Sequence, residues 1–120
     1  MHGIKFLLLT IVLAAWVHAE EIDYYDDKYD YIDAMKILEN DKLREQYYKC
    51  FMDTEPCVTA DAKFFKGNFA EVIATKCKRC TEKQKQNFEI MADWYTKNDP
   101  EAWNKFVAKY VEEKQVNANI

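Results

Sequence analysis

Serine does not occur in this sequence of 120 residues, and histidine occurs twice, as His2 and His18. Both histidines lie in the first 19 residues, a segment unlike the rest. "MHGIKFLLLTIVLAAWVHA" carries a lone lysine, Lys5, then an apolar run from Phe6 to Val17 broken by Thr10, and ends in Val17-His18-Ala19. That is the build of a secretory signal peptide cleaved after Ala19. The run of 12 residues falls short of the ~20 that a spanning helix needs, which disfavours a membrane anchor. With the leader gone, residues 20–120 form one domain of a secreted, extracellular protein. That domain has no histidine to act as general base or metal ligand and no serine nucleophile. No catalytic residue, metal or cofactor is expected.

An excess of positive charge is missing too. Removal of Lys5 leaves 16 Lys and Arg against 21 Asp and Glu, a balance of −5. A nucleic-acid partner needs a basic face, and so does an anionic membrane. Neither is expected.

Glycine and proline are scarce. Beyond the leader there remain Gly67, Pro56 and Pro100. Turn-rich folds use more of both, so the reading is all-α, with short connections. The stretch "EEIDYYDDKYD", Glu20 to Asp30, has no helical period and reads as an extended acidic arm. Its tyrosines, Tyr24, Tyr25 and Tyr29, are too many for a solvated tail, so part of it should pack on the body.

Five helices follow from local signals. Asp33 caps a short one with Ala34, Ile37 and Leu38 on one face. Asp41 is the expected cap of the second, where Leu43, Tyr47, Cys50 and Phe51 form a stripe and Arg44, Glu45 and Lys49 take the other side. Thr59 or Asp61 starts the third. Its stripe of Ala62, Phe65, Phe69, Val72 and Ile73 runs through Gly67 unbroken. Thr81 and Gln84 form a capping box for the fourth, lined by Phe88, Met91, Ala92 and Tyr95 with Trp94 beside them. Asp99 and Pro100 suit the N-cap and first position of the fifth, lined by Trp103, Phe106, Val107 and Tyr110. The polar stretch after Tyr110 is expected to fray.

Four cysteines remain to be explained, in the pattern Cys50-x6-Cys57-x19-Cys77-x2-Cys80. Zinc modules usually pair two Cys-x2-Cys knuckles, and the first gap here is six. A redox dithiol wants a strand before Cys77, where an amphipathic helix is expected instead; Lys76, Lys78 and Arg79 would nonetheless favour a thiolate. Two structural disulfides suit an exported chain. Three pairings are possible. The short loops would contribute about 2.5 kcal/mol (Cys50–Cys57) and about 2 kcal/mol (Cys77–Cys80), against about 3.5 kcal/mol for a long-range pair. Chain entropy therefore does not choose among them. A bridge across Cys77-x2-Cys80 requires a turn between helices.

The cysteine spacing, together with "KYDYID", Pro56-Cys57, "CTEKQK" and "PEAW", resembles the insect chemosensory, or olfactory-segment-D-like, proteins over about Tyr25 to Tyr110. The resemblance implies a compact bundle of five to six short helices around an apolar channel, with disulfides Cys50–Cys57 and Cys77–Cys80. It implies a monomeric secreted carrier of small hydrophobic molecules such as fatty acids, long-chain alcohols or esters. Tyr29, Tyr47 and Trp103 match channel positions. Phe51, Phe65, Phe69, Ile73, Met91 and Tyr95 complete the expected ligand-contact set. Large rings wall a cavity imperfectly, and methionine adapts to a guest. "FAEVI" at Phe69–Ile73 and Phe88 depart from the family pattern, which leaves channel size and ligand open. The alternative is a secreted interaction protein that acts through its surface.

Overall fold

The computed structural model describes residues 21–118, with side chains to Lys114. The expected leader, residues 1–19, lies outside the described residues. Five helices are present among the described residues: α1, Ala34–Glu39; α2, Asp41–Phe51; α3, Ala60–Thr75; α4, Glu82–Asn98; and α5, Pro100–Ala118. No strand occurs among the described residues, and none of their helices is long and apolar enough to cross a membrane.

The helix starts follow local chemistry. The side chains of Asp33 and Thr59 accept from Met35 N and Ala62 N, as N-caps should. Thr81 and Gln84 close a full capping box, and Asp99 accepts from Ala102 N at 3.2 Å. One cap differs from expectation. Asn40, not Asp41, caps α2, accepting from Leu43 N at 3.1 Å. Asp41 stands one position later, in the first turn, where its charge still meets the positive end of the helix dipole. α3 runs through Gly67 without a break. α5 continues to Ala118, past Tyr110, where fraying was expected.

The main helix contacts are α1 with α2, α2 with α3, α3 with α5, α5 with α4, and α4 with α1. Those five contacts close a ring. Each helix buries two flanks against neighbours and turns a third side toward the centre. Inside the ring, Phe51, Phe69, Phe106 and Tyr110 meet largely edge-on, with centroids 4.8–6.4 Å apart, the geometry aromatic quadrupoles favour. A second buried cluster holds Tyr25, Val72, Cys77 and Cys80, and Phe88 packs against both clusters.

Both disulfides are local. Cys50–Cys57 ties the end of α2 to the α2–α3 connection, and Cys77–Cys80 spans the α3–α4 turn. Lys76 and Cys77 both adopt left-handed backbone, φ 55° and 64°, a conformation that disfavours a side chain. Val72 O accepts from the amides of both residues, which closes α3 in the manner of a glycine cap.

The arm is lashed to this frame. Tyr25 N donates to Arg79 O at 2.9 Å, the Tyr25 hydroxyl donates to Glu71 at 2.7 Å, and Arg79 bridges Glu71 and the backbone of Asp23. Gln84 reaches Asp26 O and Asn87 reaches Ile32 O. Tyr25 is thereby buried while Tyr24 stays exposed.

Candidate functional site

The centre of the helix ring is hollow. The cavity measures about 110 Å³, and all five helices, the arm and the Cys77–Cys80 turn contribute to its wall. At about 30 Å³ for each water-sized group, it seats roughly four of them, so a longer alkyl chain enters only as the walls yield.

Its lining is almost wholly apolar because the polar side chains in the wall are turned to other work. Asn68 donates to Phe64 O at 2.8 Å within α3. Gln84 and Asn87 hold the arm. The Tyr48 hydroxyl donates to Ala102 O at 3.0 Å, joining α2 to α5. The Tyr47 hydroxyl donates at 2.7 Å to Asp61, itself buried. Burial, reinforced by that carboxylate, pushes the Tyr47 phenol up to about 12, so Tyr47 is neutral at any physiological pH.

Seven of the nine expected contact residues come together on this wall: Tyr47, Phe51, Phe65, Phe69, Met91, Tyr95 and Trp103. Trp103 stacks between Tyr95 and Phe106, with ring centroids 6.3 and 5.4 Å away. Two residues stand elsewhere. Tyr29 packs behind the wall, its ring 5.1 Å from Phe64 and 6.3 Å from Phe65. Ile73 packs against the Phe51–Phe69–Phe106 cluster instead of facing the cavity, because the α3 stripe is wider than the space it borders.

The sequence pattern missed Tyr25, Ile32, Leu38, Phe64, Val72, Phe88 and Phe106 as lining residues, and also Arg44. Most are apolar neighbours of expected positions. Arg44 is the real exception, having been assigned to the outer side of α2. Its side chain is only 23% exposed. The guanidinium carbon sits 4.5 Å from the centre of the Trp94 ring, and Nη1 donates to Leu38 O at 2.6 Å. α1 and α4 together fold over it, a tertiary effect that periodicity along α2 does not encode.

The profile of the insect pheromone-binding family, A10/OS-D, matches residues 25–118. Ejaculatory bulb-specific protein 3 of Drosophila melanogaster is 37% identical over 88% of this chain and 82% of its own length. Allergen Tha p 1 of Thaumetopoea pityocampa is 34% identical over 88% of this chain and 83% of its own. A solved chemosensory protein in complex with bromo-dodecanol superposes with a TM-score of 0.69 at 32% identity, covering 79% of this chain and 94% of that one.

Proposed function

Because the chain belongs to the insect pheromone-binding family A10/OS-D, we propose that it is a secreted, non-enzymatic carrier that shelters one small hydrophobic molecule in the cavity. The observation that supports this most is the wall itself: a closed ring of helices surrounds a hollow whose hydrogen-bonding groups are mostly engaged with protein partners. Such a space is hostile to water and neutral to hydrocarbon. The bromo-dodecanol bound by the structural relative is a guest of the same character. Tyr47, Phe51, Phe65, Phe69, Met91, Tyr95 and Trp103 are the proposed contacts, and the leader directs the protein out of the cell.

Burying each methylene contributes about 0.8 kcal/mol. A tail of about a dozen methylenes, admitted as the walls yield, gives a gross term of about 10 kcal/mol, reduced by the freedom lost on association. Longer chains gain more if the walls yield, and Met91 is the most pliable part of them. Micromolar binding is expected.

The test is titration with a fluorescent fatty-acid probe, following quenching of Trp103. Saturable one-to-one binding with quenching supports the carrier. An absence of saturable binding contradicts it.

A further inference from the structure

Among the described residues one charged side chain lines this largely apolar cavity, and fewer than half of its hydrogen-bond donors are engaged there. Arg44 has five N–H donors in a planar fork. Nη1 serves both of its polar partners among the described residues, Leu38 O at 2.6 Å and Asp41 at 3.0 Å. Nε and Nη2 have none there. The face of the guanidinium lies against Trp94, which fixes the plane and leaves an edge to donate. Tyr95 lines the same cavity, its ring centroid 5.0 Å from that of Trp94, the ring on which Arg44 lies. Its hydroxyl makes no hydrogen bond within the described residues.

Resting on the carrier reading of this cavity, the geometry points to Arg44 as the residue that selects the ligand's head group: the carboxylate of a fatty acid, received by the free edge of the guanidinium, with the Tyr95 hydroxyl as a further donor. A fork of N–H groups matches two carboxylate oxygens. The site is chemically suited to that task because it is partly wet. Arg44 keeps 23% of its side chain in solvent, so a charged head there avoids full desolvation while the tail runs inward. The polar pair on the far side of α2 disfavours an anion. The Tyr47 hydroxyl already donates to the buried Asp61 carboxylate, so its proton is committed and a negative charge stands behind it. The two features lie on different sides of α2, toward α4 and toward α3, and they orient the guest. The exposed Asp41 carboxylate competes for Arg44 only at Nη1.

The test compares dodecanoate, methyl dodecanoate and dodecanol as competitors of a neutral fluorescent probe. The proteins are the wild type, Arg44→Gln and Arg44→Met, each checked for helix content by circular dichroism. Loss of the fork should weaken dodecanoate by about tenfold or more and leave the ester and the alcohol within about twofold. Should neither variant fold, the wild type decides: high salt should weaken dodecanoate severalfold and leave dodecanol unchanged. Equal losses for all three ligands, or no loss and no salt effect specific to dodecanoate, overturn the assignment to Arg44 while the carrier reading stands. If the wild type binds none of them, both fall.

Discussion

The Tyr110 hydroxyl donates to the carbonyl of Phe51 at 2.5 Å, inside the core, where Tyr110 is 1% exposed. Phe51 is the last residue of α2, so this carbonyl is one that its own helix leaves without a partner. A side chain from α5 therefore caps α2 across the middle of the molecule. Tyr110→Phe keeps the ring and removes the donor. Unfolding in urea should show a loss of about 1–3 kcal/mol, the penalty for an unsatisfied buried acceptor. A change within error would mean that water reaches Phe51 O.

Gly67 offers a change in the opposite direction. It lies inside α3, it is exposed, and a Cβ added there would touch nothing within 4 Å. Gly67→Ala should stabilise the fold by about 0.5–1 kcal/mol, read as a higher melting temperature with ligand binding unchanged.

These two cases mark what was legible in the sequence. Helix starts at Asp33, Thr59, Thr81 and Asp99 depend on a side chain and an amide two or three residues on, so a linear pattern reveals them. The continuity of α3 through Gly67 is written in the spacing of Phe65, Phe69 and Val72. Asn40 was missed in favour of Asp41 because two good caps stand side by side and only the backbone geometry chooses. Arg44 was misplaced for a different reason. A helix in a closed ring buries two flanks as well as its inward face, so a residue at the stripe's edge is outside or inside according to its neighbours α1 and α4. The left-handed pair Lys76–Cys77 left no trace either, since neither residue favours that conformation. Tyr29 was named from resemblance alone, and its ring stands one layer behind the wall.

The Tyr47 and Tyr95 phenols are each held up at about 12, chiefly by burial. Burial also raises Tyr25 and Tyr110 further. The folded state thus prefers all four neutral. Below pH 10, the ordinary phenol value, their contribution to stability is complete. It is lost progressively as pH rises from about 10 toward 12 and beyond. Urea midpoints should be flat through neutral pH and fall above 10. Phenolate absorbance at 295 nm should show a late phase coincident with loss of helix. A Tyr47→Phe variant would lack part of that phase but leave Asp61 buried without its donor, at a cost of about 1–3 kcal/mol.

The arm makes a kinetic prediction. Tyr25 lines the cavity beside Cys77, Cys80 and Gln84, and it is held by Glu71 and by Arg79, whose guanidinium carbon lies 4.8 Å from the ring centre. Tyr25→Ala removes part of that wall. Stopped-flow chase of a bound fluorescent fatty acid should show dissociation severalfold faster than in the wild type, with a smaller change in the association rate. Unchanged dissociation would place the ligand's exit elsewhere in the ring.

The most direct measurement is a crystal structure of the protein grown with bromododecanoate, with bromine located by its anomalous signal. A carrier that uses this hollow should show one bromine per chain among the rings of Phe51, Phe69, Phe88 and Trp103. Bromine found only on the outer surface, or at no ordered position although the cavity is open, would contradict the carrier reading.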